Sequence, residues 1–136
     1  MQRSWILWMI PFVLFVAACA PSARTVPASD PVFYAAEPLE IMSAAIEAIS
    51  TSPGLDDSTG WLITDADTQG GFVRAETEVT TTGGLFRRAS TRTEWLTVVV
   101  SPAGENRSQV IVQHTAGAVP LAELVEGELR AAFGLN

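Results

Sequence analysis

Few residues in this chain have the type and spacing to do chemistry. Asp65, Asp67 and Gln69 place side-chain oxygens at the first, third and fifth positions of a register in which Gly70 is sixth, apolar Phe72 eighth and Glu76 twelfth. A calcium loop uses that register: oxygen ligands at alternate places, a glycine for the sharp turn and a bidentate carboxylate to close the shell. The flanks oppose it. Such a loop sits between two helices, whereas Pro53, Gly54 and Gly60 precede this one and β-branched residues follow it. A hairpin turn is the competing reading, with Asp and Gly supplying turn chemistry and Glu76 on an exposed strand face. The chain is expected to hold no metal, and Asp65, Asp67, Gln69 and Glu76 are its calcium candidates.

Other catalytic sets are missing members. His114 is the only histidine, and a triad needs it beside a nucleophile and an orienting carboxylate. There is no G-x-S-x-G elbow, and a zinc site would lack nitrogen and sulfur partners. Paired-carboxylate hydrolysis needs acids across a cleft, for which a small domain has little room. Trp61 and Trp95 read as core residues rather than sugar platforms. No enzyme activity and no cofactor are expected.

Leu85-Phe86-Arg87-Arg88, with Arg92 nearby, falls on the longest connection and joins two large apolar side chains to three arginines. Such a tip could enter a partner's groove, or touch anionic headgroups at about 1 kcal/mol per basic residue. The alternative is a solvated hairpin whose apolar pair folds back onto the core. As an interaction surface this segment ranks first.

Cys19 is the only cysteine. Ahead of it, Arg3 forms a short positive region, and Trp5 to Ala18 is apolar apart from Pro11. The run is shorter than the ~20 residues of a membrane span and has the form of an export signal ending in small residues. Val16-Ala17-Ala18-Cys19 resembles the lipobox of bacterial lipoproteins. That resemblance implies a signal peptide over 1–18, cleavage between Ala18 and Cys19, a diacylglycerol on the Cys19 sulfur and an acylated amine. Two or more acyl chains anchor stably where one does not. Ala20, where the family uses Asp for inner-membrane retention, implies the periplasmic face of an outer membrane if the source has two membranes. Otherwise the implied address is the outer face of the cell membrane. With Cys19 used, no disulfide remains, so the domain must be held by its core.

The charge balance is acidic, 15 Asp and Glu against 8 basic residues for a net −7. That argues against nucleic acid as a partner, since phosphate binding needs clustered positive charge.

The elements follow from periodicity. Residues 19–36 read as a Pro/Ala/Ser-rich tether, with Val32, Phe33 and Tyr34 as its docking point, and 37–136 as one domain. Pro38 to Ser50 is a predicted helix with Leu39, Met42, Ile46 and Ile49 facing a core. Trp61–Thr64, Phe72–Thr80, Thr91–Val100 and Ser108–Thr115 are predicted strands. In the second, Val73, Ala75, Thr77 and Val79 share one face. The third is ambiguous, because Trp95 and Val99 compete with Leu96, Val98 and Val100. Pro120 to Phe133 is a closing helix with an apolar stripe of Leu121, Leu124, Val125, Leu129, Ala132 and Phe133, and Gly134 as its cap.

Helix, two hairpins and helix give an α+β fold: a four-stranded antiparallel sheet with both helices on one face. This order, with Asp67 to Val73, resembles the helix-grip domains of envelope lipoproteins such as the BamC subunit of the outer-membrane assembly machine; the resemblance carries no functional residues across. Three functions are compatible with the sequence. The leading one is a non-catalytic accessory or scaffold lipoprotein, bound to the membrane through its lipid and to another envelope protein. The others are a binding module for a small apolar or lipidic ligand and an enzyme acting on envelope polymers.

Overall fold

The computed structural model describes residues 23–56 and 58–134. The residues read as a signal peptide and lipobox, Cys19 included, lie outside the described residues. The chain runs β1 (Val32–Tyr34), α1 (Pro38–Thr51), β2 (Leu62–Asp67), β3 (Phe72–Thr81), β4 (Ser90–Pro102), β5 (Ser108–His114), a 3-10 turn (Ala116–Ala118) and α2 (Val119–Phe133). The fold is α+β, with an antiparallel sheet and two helices.

The sheet has five strands rather than four, in the order β1-β5-β4-β3-β2. The added strand comes from the segment assigned to the tether. Val32 pairs with Val110 and Tyr34 with Ser108, which turns Tyr34 into the core at 1% exposure. The pairing begins earlier still. The Val26 and Ser29 amides donate to His114 and Val112 carbonyls at 2.9 Å, and Ser29 Oγ accepts the Val112 amide at 3.0 Å. Residues from Arg24 onward therefore cover the edge of β5, where an unpaired ladder would otherwise stand open.

The core is the face that β-alternation sends one way. Val73 and Ala75 on β3, Leu96, Val98 and Val100 on β4, and Val110 and Val112 on β5 join the buried residues of both helices in one cluster. Trp95 and Val99 take the other face, which resolves the ambiguity of this strand. The Arg74 guanidinium lies 4.6 Å from the Trp95 ring centroid, a cation–π contact. β2 runs to Asp67 rather than ending at Thr64. Its ladder with β3 pairs Asp65 with Arg74, Ala66 with Val73 and Asp67 with Phe72 past a bulge after Ile63, and pairing overrides the poor strand propensity of Asp.

In α1 the apolar stripe is rotated from its predicted phase. Ile41, Met42, Ala45, Ala48 and Ile49 are buried, whereas Leu39 is exposed. Pro38 occupies the first turn, where no amide donor is needed. The Glu37 amide donates to Glu40 Oε2 at 3.1 Å. At the end of α2, Gly134 has φ −58° and its amide reaches the Arg130 carbonyl, so the cap there does not require a left-handed residue. No helix among the described residues is long and apolar enough to cross a membrane.

Candidate functional site

The β3–β4 hairpin is the longest in the sheet, with paired residues from Phe72/Val99 to Thr81/Ser90. Its two halves differ. Up to Val79 on β3 and from Glu94 on β4, alternate residues enter the core; from Thr80 to Thr93 every residue is exposed. The arm is closed by the ladder and by Thr80 and Thr91, whose hydroxyls meet at 3.3 Å. At the tip the Arg87 amide donates to the Gly84 carbonyl at 3.0 Å, a β-turn that places Leu85 and Phe86 at its centre. These two are 94% and 95% exposed. The apolar pair does not fold back onto the core.

Of the three arginines assigned to this tip, two stay there. Among the described residues neither Arg87 nor Arg88 takes part in an ion pair; Arg92 does, with its Nε 2.6 Å from Glu94 Oε1. Glu94 is a residue that sequence periodicity does not single out. It lies on the core side of β4 at 3% exposure. Its Oε2 accepts the Gly117 amide at 3.1 Å, from the 3-10 turn that leads into α2. Burial pushes the Glu94 carboxyl pKa up, but hydrogen bonds from Thr115, Arg92 and Gly117, with the Arg92 charge, outweigh it and hold the value below the ordinary 4.5. Gly117 must be glycine for this contact, since a Cβ there would lie 2.4–2.7 Å from the carboxylate atoms. Thr115 locks the same corner: its amide donates to the Trp95 carbonyl, and its Oγ1 accepts the Trp95 amide at 3.0 Å. The hairpin is thus pinned at its base by a buried carboxylate and bare at its tip.

The calcium candidates occupy the β2–β3 hairpin, flanked by strands. Asp67 Oδ1 accepts the amides of Gln69 and Gly70 at 3.1 and 2.8 Å, the self-capping turn expected of Asp. Gly71 has φ +71°, and a Cβ there would collide with the Val100 carbonyl, so this turn demands glycine. Glu76 Oε1 receives Arg74 Nε at 2.6 Å and stands opposite Leu62. No group of three or more His, Cys, Asp or Glu placed to hold a metal occurs among the described residues. His114 Nδ1 lies 2.9 Å from the Thr115 carbonyl oxygen, a backbone partner rather than a catalytic one.

A groove of about 340 Å³ runs between α1 and α2 and is lined by Ala44, Glu47, Ala48, Thr51, Leu124, Glu128 and Ala132. It contains two carboxylates among small side chains, and neither a histidine nor a second nucleophilic group accompanies Thr51. A second, of about 110 Å³, lies at the end of the helix pair against Trp61, Pro120 and Leu121.

No protein-family model matches the chain, and no curated protein does. Two solved structures are similar in outline. One is a protein of Thermus thermophilus, 14% identical, matched over 79% of this chain and 98% of its own, with a TM-score of 0.39. The other is the Zhui aromatase/cyclase of a Streptomyces species, 13% identical, matched over 79% and 85%, with a TM-score of 0.34. Similarity at this level carries no inference for activity.

Proposed function

We propose that this chain is a non-catalytic envelope lipoprotein, anchored through Cys19, whose folded domain serves as an accessory or scaffold element contacting another envelope protein. The observation that carries this reading is the exposed tip. A stable domain that presents Leu85 and Phe86 almost wholly to solvent, with Arg87 and Arg88 beside them, is built for contact, because large apolar groups in adjacent, exposed positions are associated with interaction sites. The ionisable groups with defined partners serve structure instead: Glu94 and Arg92 hold the hairpin, and Asp67 caps a turn. In this reading both helices cover one face of the sheet, leaving the hairpin arm and the opposite face free.

The apolar-ligand alternative needs space between helices and sheet. There Ile41, Met42, Leu96 and Val98 have no exposed surface and share one cluster, so no observation favours it. The lipobox supplies the anchor, and the test addresses it directly. Intact-mass measurement of the membrane-extracted protein is expected to show Cys19 as the first residue carrying acyl chains. Cys19→Ser is expected to leave the chain unprocessed and unacylated. A Cys19→Ser protein processed like the parent, or a crosslinked envelope sample that captures other neighbours but only this protein by itself, would overturn the reading.

A further inference from the structure

We infer that the hairpin tip docks on the same bilayer that holds the Cys19 lipid, giving the domain a second point of membrane contact. This rests on the lipid anchor proposed above; it assigns the tip to the bilayer and leaves the protein contact to the sheet face opposite the helices.

The chain and the arm run in one direction. From Tyr34 backward the chain runs antiparallel to β5, past Ser29 and Val26 to the Thr25–Thr115 bridge. Thr115 in turn bonds to Trp95. The described chain therefore leaves the sheet at the level of Trp95, heading toward the end from which the β3–β4 arm projects. The turns at the opposite end, after β2 and after β4, point away from it.

The lengths are compatible with the directions. Phe86 lies nine residues from Trp95, at most about 30 Å at the rise of a strand. The residues between Thr25 and Cys19 can span at most about 20 Å when extended. Sideways, the edge carrying the N-terminal segment and the middle of the arm are separated by two to three strand spacings, about 12 Å. The tip can thus reach about 10 Å past the level of Cys19, the depth to which apolar side chains enter the headgroup–acyl boundary.

Chemistry selects the membrane as occupant. Leu and Phe are side chains that enter the headgroup–acyl boundary, and basic residues next to them meet anionic headgroups. The charge favours it. The chain is acidic overall, yet Thr80 to Thr93 holds Arg87, Arg88 and Arg92 and no carboxylate, while Glu37, Asp67 and Glu105 sit at the far end with one cation, Arg107, Glu37 meeting the Asn106 amide there. An anionic surface would attract the tip.

The test uses the full-length chain, purified from membranes and placed in vesicles of neutral phosphatidylcholine or of phosphatidylcholine with phosphatidylglycerol. A photoactivatable benzoylphenylalanine replaces Phe86, or the exposed Gln69 at the far end as control. Lipid adducts are expected at position 86 and not at 69. Arg87→Gln with Arg88→Gln is expected to lower the engaged-to-free ratio about 25-fold on anionic vesicles, about fivefold per arginine, and to leave neutral vesicles unaffected. Intact mass of the same sample reads the anchor separately. Acylated Cys19 with no lipid adduct at 86, or with equal adducts at 86 and 69, overturns the docking and leaves the anchor standing. An unacylated Cys19 refutes the anchor, and with it the two-point attachment inferred here. A protein adduct at 86 in whole envelopes, replacing the lipid adduct, assigns the tip to a protein and also overturns the proposal.

Discussion

Replacing Glu94 by Gln tests whether a buried carboxylate pins the hairpin. The substitution keeps shape and volume but leaves one acceptor where two are in use: Oε1 for Arg92 at 2.6 Å and Oε2 for the Gly117 amide at 3.1 Å. Whichever way the new amide turns, an NH2 faces a donor. The loss is one charge-assisted hydrogen bond, from either the Arg92 guanidinium or the half-buried Gly117 amide. Each such deficit costs about 1–3 kcal/mol, so a destabilisation of about 3 kcal/mol is expected, a large share of the stability of a small domain. Arg92→Gln is expected to cost only about 1 kcal/mol, because the arginine side chain is 45% exposed and a Gln Nε2, bonded to Cδ as Arg92 Nε is, can still donate to Glu94 Oε1. The assay is urea unfolding, read as a shift in midpoint at constant slope. The pH dependence has a definite sign. The folded-state pKa of Glu94 is held below its ordinary 4.5, so its stabilisation is complete well above 4.5 and is lost as pH falls through the lower folded value. The gap between parent and Glu94→Gln should therefore narrow on acidification below that range. A Glu94→Gln variant within about 0.5 kcal/mol of the parent at neutral pH, or an Arg92→Gln variant that costs as much, would refute the reasoning.

Two further perturbations separate structure from surface. Tyr34→Ala removes a ring that is 1% exposed from a segment the sequence assigns to the tether; it is expected to cost about 3–5 kcal/mol in urea unfolding, as for other buried aromatics, whereas a true tether residue would cost nothing measurable. Leu85→Ser with Phe86→Ser alters side chains that touch almost nothing, so the thermal midpoint is expected to stay within the change produced by about 0.5 kcal/mol; a larger fall would mean that the tip packs in solution.

What is legible follows from what periodicity encodes. Alternation in β3 places Val73, Ala75, Thr77 and Val79 on the buried face, because only one of its faces is apolar. β4 is apolar on both sides, so pattern alone does not rank Trp95 against Leu96; the burial of Leu96 in the core cluster decides it. The same duplication misleads in α1, where Leu39, Ile41 and Met42 offer two overlapping stripes and packing selects Ile41. β1 escapes notice as a strand because three residues after a proline-rich stretch carry too little pattern, and its pairing with β5 is a long-range contact.

Glu94 is hidden by the same ambiguity of β4. It has the same parity as Leu96, Val98 and Val100, so assigning that face to the core also assigns a carboxylate to the core. A buried carboxylate requires partners, and the candidates in sequence are near: Arg92, two residues before it on the strand, and a glycine able to bring a backbone amide close. The tip obeys the opposite logic. Periodicity reports burial, and Leu85 and Phe86 show no period with the strands that carry them. Adjacent apolar residues on a polar arm are the sequence signal on which the proposed docking rests, and the structure adds where the arm points: toward the end of the sheet at which the described chain leaves past Thr25.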